Sequence, residues 1–346
     1  MTAGTALPGL DLRRLTDWLD TARPGLRHGP LTGRLVTGGH SNLTYRITDD
    51  HSIWALRRPP LGHVLPTAHN MSREYRVINA LRTTAVPVPA AVACCDDLTV
   101  LGAPFYLMDF VDGRILDTAA ATAALGPTQA ARAGKVLIDT LLALHEVDPG
   151  TVGLGDFGRP EGFLTRQLAR WQQQWTASET RPLPELELVV DRLTGSIPPP
   201  SPAGIVHGDY RIANVIFAAD VDRVAAVIDW EMATLGDPLT DLGLLIVYHT
   251  LANAPEFDLA PLPTEHSFQT AEQLTDRYRA FSGRDLRHLR WYIAFGYFKL
   301  AVISETIRRR HQAGQTVGAG FDEVGDSVPL LLQAALRSLT ARQREA

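Results

Sequence analysis

Two acidic residues and one amide follow short apolar runs in the second half of this sequence. Asp209 comes after the run IVHG, Asn214 lies five residues further along, and Asp229 ends a second run, VI. Carboxylate and amide oxygens suit Mg²⁺, and a carboxylate beside a hydroxyl can orient it for attack on phosphorus. Taken singly, Asp209 would cap a turn and Asp229 would end a hairpin. The ordered set instead indicates a site that holds a magnesium-bound nucleotide beside a hydroxyl.

Apolar periodicity predicts the elements that position these residues. Helical periods cover 11–22 and 69–82, and strand-like runs lie at 31–37, 43–48, 52–57, 90–95 and 105–110. Further helical patterns lie at 129–145, 161–177, 185–193, 239–249, 270–281, 285–310 and 321–342. The sequence therefore predicts an α+β chain with a β-rich N-terminal lobe, residues 1–110, and a mainly helical C-terminal lobe, residues 111–346. A hinge is expected at 108–113.

Composition excludes several classes of function. The chain has 346 residues, 45% hydrophobic and 21% charged, which is typical of a globular protein. A net charge of −5 gives no bulk attraction to nucleic acid or to an anionic membrane. The two cysteines are adjacent, so they form neither a disulfide framework nor a zinc site. The N-terminus lacks a secretory signal pattern and the most apolar run is short, so we expect a soluble cytoplasmic protein.

The motif order resembles a known family. His207-Gly208-Asp209, Asn214 and Ile228-Asp229-Trp230 resemble the catalytic loop and metal-binding segment of the aminoglycoside phosphotransferase and choline kinase group. A narrower resemblance, to the kinase domain associated with acyl-CoA dehydrogenases, is carried by GGHSNLTY (38–45), LRRPP (56–60), REYRV (73–77), VPVP (86–89) and DPLTDL (237–242). The resemblance implies a protein-kinase-like bilobal fold with ATP and Mg²⁺ as cofactors.

The resemblance implies a role for each residue of the motifs. Asp209 would orient the acceptor hydroxyl and accept its proton. Asn214 and Asp229 would bind Mg²⁺. His207 would brace the catalytic loop by hydrogen bonds, and Asp241 would tie the loop down, although an Asp at that position could equally cap the helix that begins there.

In the N-terminal lobe, the resemblance implies backbone contacts to the nucleotide from a phosphate loop and from the hinge. The expected phosphate loop contains Gly38, Gly39, Ser41 and Asn42. Its glycines would let backbone N–H groups approach the phosphates closely, although a Gly-Gly pair between strands is more often a hairpin. At the hinge, the carbonyl of Asp109 and the N–H of Val111 would contact the adenine edge.

The third strand ends in Arg57, where the wider family usually has Lys. Arg57 would contact the α- and β-phosphates and pair with Glu74, and Arg58 is the rival for that role. Alternation of side chains along the strand favours Arg57. Glu74 could also be an exposed carboxylate, and Glu231 could either support the metal site or lie on the surface.

The acceptor is less determined than the nucleotide. Gly208 replaces the Arg that protein kinases have before the catalytic Asp, which implies a constitutively assembled site and a small-molecule hydroxyl acceptor. The narrower resemblance suggests a hydroxyacyl-CoA and a functional link to an acyl-CoA dehydrogenase. The alternatives are an aminoglycoside, an amino alcohol or a sugar, and, as a different class, a catalytically silent nucleotide-binding module.

Overall fold

The computed structural model describes residues 7–36, 42–61, 70–254, 268–314 and 324–340. It divides into two compact units, Met1–Gly113 with Ala225–Ala233, and Arg114–Val224 with Thr234–Ala346. The short segment that carries Asp229 thus packs with the first unit, whereas the sequence-based division placed it with residues 111–346. The roles of the two units as nucleotide-binding and acceptor-binding lobes stay predictions.

The first unit contains a five-stranded antiparallel sheet with helices packed on it. The strands are β1 (Thr32–Val36), β2 (Leu43–Thr48), β3 (Ile53–Arg58), β4 (Ala91–Cys95) and β5 (Phe105–Asp109), and the helices are α1 (Leu12–Ala22), α2 (Met71–Leu81) and α3 (Leu98–Leu101). The strands lie in the order β1-β2-β3-β5-β4. Leu15 and Leu19 on α1 are fully buried in the same hydrophobic cluster as Trp54, and the Trp18 ring meets the Phe105 ring edge-on with centroids 4.9 Å apart.

Successive side chains of a strand point to opposite faces of the sheet, and β3 uses both faces. Arg57 lies on the face covered by α2, where it meets Glu74. Arg58 lies on the other face, where its guanidinium donates to the carbonyl oxygens of Gly9 and Leu101. Arg58 is therefore committed to backbone carbonyls within the first unit.

The second unit is mainly helical. The helices are α4 (Ala119–Ala123), α5 (Pro127–Glu146), α6 (Phe163–Ser178), α7 (Pro184–Gly195), α8 (Leu239–Ala252), α9 (Ala271–Ser282), α10 (Leu289–Gln312) and α11 (Val328–Thr340). The strands are β6 (Arg114–Ile115), β7 (Gly204–Val206), β8 (Val215–Phe217) and β10 (Thr234–Gly236), while β9 (Val224–Val227) leads into the segment that belongs to the first unit. Strand β7 pairs with β10 and β6 pairs with β8, both antiparallel. The predicted α+β composition is confirmed.

A glycine lets α8 and α10 approach closely. A Cβ at Gly243 would lie 2.6 Å from the backbone carbonyl carbon of Tyr292, closer than real side chains come. Gly296 faces Val247 and the Gly243 carbonyl across the same contact. This packing holds α8, which carries residues of the candidate site, in a fixed position. In the part of the chain that the structure describes, no helix is long and apolar enough to cross a membrane.

Buried His249 on α8 should make the stability of the protein depend on pH. Its ring lies 5.5 Å from that of Phe268, and burial lowers the pKa of His249 to about 4. In the unfolded chain the same histidine has a pKa near 6.5, so it binds a proton there at a higher pH than in the folded chain. The stability that the neutral buried ring contributes is therefore complete above pH 6.5 and is lost as the pH falls toward 4. We expect the free energy of unfolding to fall by roughly 3 kcal/mol between pH 7 and pH 4 through His249 alone.

Urea unfolding of the wild type and of His249→Gln at both pH values measures this contribution. The difference between the two pH values should shrink in the variant, whereas His288→Gln, at an exposed position, should keep the wild-type difference. An equal pH dependence in wild type and His249→Gln would contradict the assignment.

Candidate functional site

The loop after β7 is held by a carboxylate on α8. Asp241 accepts hydrogen bonds from the backbone N–H groups of His207, at 2.6 Å, and Gly208, at 2.8 Å. Gly208 has a φ of 85°, in the left-handed region that glycine adopts without a steric penalty. The N-terminal N–H of α8, on Leu239, is bonded to Asp237 instead. Asp241 therefore contacts the loop, and it is Asp237 that bonds the first N–H of the helix.

Asp241 is in turn held by a buried histidine. His145 Nε2 lies 3.4 Å from its carboxylate, and His145 Nδ1 lies 2.8 Å from the hydroxyl of Tyr278. Burial lowers the pKa of His145, so the imidazole is neutral. Burial alone would raise the pKa of Asp241, but the hydrogen bonds from His145 and the loop backbone outweigh it and the pKa is lowered. The loop is therefore anchored to a fixed negative charge.

The Asp209 carboxylate is bonded at both oxygens. The hydroxyl of Tyr248 donates to Oδ1 at 3.0 Å, and Nδ2 of Asn214 donates to Oδ2 at 2.9 Å. Arg211 Nε lies 3.4 Å from Oδ2, and the backbone N–H of Asp209 donates to His207 Nδ1 at 3.2 Å. The structure thus brings Asp209, Asn214 and His207 together, and it adds Tyr248 and Arg211, for which the sequence analysis assigned no role.

A buried lysine lies beneath the same loop. Lys299 on α10 donates to the carbonyl oxygen of Gly208, and its Nζ lies 5.3 Å from the centre of the Trp171 ring. Burial lowers the pKa of Lys299, and the negative charges of Asp209 and Asp241 partly offset that effect. A sequence signal for this contact is lacking because the two partners lie far apart in the chain.

In the first unit, Arg57 is the centre of an ionic cluster. Its Nε lies 2.9 Å from Glu74 Oε2, and its guanidinium also donates to Asp229. Glu74 is almost fully buried and accepts a hydrogen bond from the Tyr106 hydroxyl at 3.0 Å. Burial opposes the charge on Arg57, but the neighbouring acidic groups outweigh burial and raise its pKa. Burial raises the pKa of Glu74. The predicted pair of Arg57 with Glu74 is therefore present, and Glu74 is not a surface carboxylate.

Asp229 has an unusual backbone conformation. Its φ of 68° and ψ of 57° lie in the left-handed region, which Asp tolerates better than most residues. A short 3-10 helix, Trp230–Met232, follows directly, and the Trp230 indole N–H donates to the Val227 carbonyl. This tight turn directs the Asp229 carboxylate toward Arg57. Residues held in sparsely populated backbone conformations cluster at active sites.

Asn42 links two carboxylates of the same cluster. Its Nδ2 lies 3.3 Å from Glu74 Oε1 and 3.0 Å from Glu231 Oε2. Glu231 is therefore bonded into the cluster. Asn42 Oδ1 is buried without a hydrogen-bond partner among the described residues, so it has an acceptor available for a ligand or a water. The other three residues of the predicted phosphate loop, Gly38, Gly39 and Ser41, lie outside the described residues.

The hinge residues lie at the end of β5. The N–H groups of Asp109 and Phe110 donate to the carbonyls of Ala90 and Ile53. Asp109 is exposed at the end of the strand, and partial loss of solvent around its carboxylate raises its pKa. The predicted adenine contacts, the Asp109 carbonyl and the Val111 N–H, stay predictions.

The donor types fit Mg²⁺. Asn214 uses Nδ2 for both of its bonds to Asp209, so its Oδ1 is left as a hard oxygen ligand. Asp229 supplies a partly exposed carboxylate. The described residues contain no cluster of three or more His, Cys, Asp or Glu side chains suited to a metal. Asn214 in the second unit and Asp229 in the first unit are each a donor of the type that Mg²⁺ accepts beside substrate phosphates.

Sequence comparison relates the chain to named proteins. The model of the phosphotransferase enzyme family matches residues 32–292. Acyl-CoA dehydrogenase family member 11 of Gallus gallus is 32% identical over 316 residues, 89% of this chain and 40% of the relative. Member 10 of Mus musculus is 31% identical over 305 residues, 86% of this chain and 28% of the relative. The chain spans less than half the length of these curated relatives.

Structural comparison finds similarity to phosphotransferases of known structure. A crystal structure of a candidate aminoglycoside phosphotransferase from Ralstonia eutropha JMP134 has a TM-score of 0.84 and 30% identity, covering 96% of this chain and 99% of that chain. A thermostable mutant of aminoglycoside phosphotransferase APH(4)-Ia, in ternary complex with AMP-PNP and hygromycin B, has a TM-score of 0.63 and 15% identity, covering 95% and 99%. The second match shows the fold alone. Together with the family model these matches confirm the predicted kinase-like fold, and the chain belongs to the phosphotransferase enzyme family.

Proposed function

We propose that this protein is an ATP- and Mg²⁺-dependent kinase that transfers the γ-phosphoryl group to an alcohol hydroxyl of a small molecule. The observation that carries the proposal is the environment of Asp209. Its carboxylate accepts hydrogen bonds from Tyr248 and Asn214, and it lies on a loop that Asp241 fixes through two backbone bonds. A general base must be oriented in this way before the acceptor arrives, because positioning supplies much of the rate of phosphoryl transfer.

In the proposed step, Asp209 accepts the proton of the acceptor hydroxyl. The acceptor oxygen forms a bond to the γ-phosphorus, the bond from that phosphorus to the ADP oxygen breaks, and Asp209 takes the hydroxyl proton. Asn214 and Asp229 would hold Mg²⁺, which offsets charge on the phosphates when it is bound. Arg57 would contact the α- and β-phosphates while Glu74 keeps its Nε in place. The AMP-PNP complex of APH(4)-Ia supports a nucleotide as the phosphoryl donor.

Replacing Asp229 by Ala tests the metal half of the proposal. Removing this carboxylate takes away one hard oxygen ligand, so we expect the affinity for Mg²⁺-ADP to fall by about 10-fold or more, with a higher Mg²⁺ requirement for turnover. Calorimetric titration of ADP at several Mg²⁺ concentrations measures this. The control Asp285→Ala removes an exposed carboxylate paired with Arg287 and should leave the titration unchanged. An unaltered Mg²⁺ dependence in Asp229→Ala would count against metal binding by this residue.

One cation beside Asp209 can reach an acceptor. Arg211 Nε lies 3.4 Å from Asp209 Oδ2, and the Arg211 side chain is 38% exposed. A guanidinium at this position suits an acceptor that carries a phosphate or carboxylate group better than one that carries ammonium groups, such as an aminoglycoside or choline. The relatives are members of the acyl-CoA dehydrogenase family, which supports an acyl-CoA as the acceptor. We therefore infer that the acceptor is a hydroxyacyl-CoA, in a reaction linked to an acyl-CoA dehydrogenase.

Aminoglycosides are a second acceptor class, supported by the similarity to the candidate aminoglycoside phosphotransferase from Ralstonia eutropha. A screen of ADP release with Mg²⁺-ATP against hydroxyacyl-CoAs, hygromycin B, choline and simple sugars distinguishes the classes. We expect turnover with hydroxyacyl-CoAs and none above background with hygromycin B or choline. Turnover with a cationic acceptor alone would overturn the acceptor class and leave the kinase activity standing. No turnover with any acceptor would support a silent nucleotide-binding module.

A further inference from the structure

One helix contacts both the backbone and the side chain of the catalytic loop. Asp241, in the first turn of α8, holds the N–H groups of His207 and Gly208. Tyr248 lies about two turns further along α8, hence on the same face, and its hydroxyl donates to Asp209 Oδ1 at 3.0 Å. The backbone contact explains why the loop is rigid. It does not fix the rotation of the Asp209 carboxylate, which has its own torsion.

The contacts of the carboxylate fix that rotation. Oδ2 accepts from Asn214, and Oδ1 accepts from Tyr248. A carboxylate has about four lone-pair positions, so one position on Oδ1 is left beside the Tyr248 bond. Because Asn214 and Tyr248 act on different oxygens, their two bonds together determine the plane of the group. Loss of the Tyr248 bond would leave the carboxylate tethered by Asn214 and Arg211 at the other oxygen.

Tyr248 is suited to be a permanent donor. Burial and the nearby Asp209 charge raise the pKa of Tyr248, so its hydroxyl keeps its proton over the range of ordinary assays. The Arg211 guanidinium packs over the face of the Tyr248 ring, with its central carbon 5.2 Å from the ring centre. The side chain is thus held at both its face and its hydroxyl, which limits its own rotation.

We propose that Tyr248 is a positioning residue for phosphoryl transfer, whose hydroxyl orients the Asp209 carboxylate so that Oδ1 presents its remaining lone pair to the acceptor hydroxyl. This inference rests on the proposed kinase function. It assigns to α8 a second task beside the anchoring of the loop by Asp241. Tyr248 does not touch the reacting atoms, so its effect must pass through Asp209.

Tyr248→Phe removes the hydroxyl and keeps the ring beneath Arg211. With the best acceptor of the screen, we expect kcat to fall about 10- to 100-fold, the range for a lost hydrogen bond to a charged group, while the KM for ATP changes less than about twofold. The matched control is Tyr297→Phe, which removes the hydroxyl of a buried tyrosine of α10. It should leave kcat unchanged.

Two further measurements separate positioning from a structural role. In the Asp209→Ala background, Tyr248→Phe should cause no further loss of rate, because the group it orients is gone. A crystal structure of Tyr248→Phe should show the Asp209 carboxylate rotated or in more than one orientation. An unchanged kcat, or an unchanged single orientation of Asp209, would overturn the proposal. The crystallographic result stands even if the wild type turns over no acceptor, in which case the proposed function fails separately.

Discussion

Replacing Asp209 by Ala is expected to lower kcat for phosphoryl transfer by about 10²- to 10⁴-fold, the usual contribution of a general base. Binding of Mg²⁺-ATP should remain within about threefold of wild type, since the loop stays anchored through Asp241. Single-turnover transfer from radiolabelled ATP measures the first quantity and calorimetry the second. A fall in kcat without a change in nucleotide affinity would identify Asp209 as a residue of the chemical step.

A matched control removes a carboxylate that lies outside the site. Asp222→Ala, at an exposed position of the second unit, should leave both quantities unchanged. Asp209→Asn keeps the size of the side chain and removes its basicity, so it should be about as slow as Asp209→Ala. Near-normal turnover by both Asp209 variants would remove the base from the mechanism.

Replacing Arg57 by Met should have the second large effect, on both stability and nucleotide binding. The change leaves Glu74 buried without its cation, which costs about 3–5 kcal/mol of unfolding free energy for a broken buried pair. It also removes the cation proposed to grip the phosphates, so the affinity for ATP should fall by about 10-fold or more. Urea unfolding and calorimetric titration measure the two effects separately.

Two companion variants separate binding from folding. Glu74→Gln in the Arg57→Met background removes the uncompensated charge, so it should recover part of the stability and none of the ATP affinity. Arg58→Met loses bonds to the Gly9 and Leu101 carbonyls, so it should lower stability and leave ATP affinity intact. Loss of ATP affinity in Arg58→Met, with normal affinity in Arg57→Met, would transfer the phosphate contact to Arg58.

Local patterns were sufficient for most of the fold. The observed β2 has the predicted bounds, and α1, α2 and α5 begin and end within about two residues of the predicted helices, because apolar periodicity and caps are local signals. The short elements α3, α4, β6 and β10 were not predicted. Two to five residues are too few to show a period, and β6 and β10 exist only through pairing with β8 and β7.

The candidate site was predictable where residues lie in one motif or alternate along one strand. The proximity of Asn214 to Asp209 and the orientation of Arg57 toward Glu74 are of this kind. Tyr248 and Lys299 were missed because their contacts join residues far apart in sequence and depend on how α8 and α10 pack. The contact of Glu231 could not be predicted for the same reason, since its partner Asn42 lies in the other half of the chain.

Transfer of phosphate from ATP to an alcohol leaves a phosphorylated product that can be identified. Wild-type protein with Mg²⁺-ATP and a hydroxyacyl-CoA should form a phosphate ester on the acyl hydroxyl, seen by mass spectrometry and ³¹P NMR, with one ADP for each ester. Asp209→Ala under the same conditions should form none above background. ADP formation without a phosphorylated acceptor in any of the screened classes, or no ATP turnover at all, would show that the protein does not transfer phosphate to an alcohol.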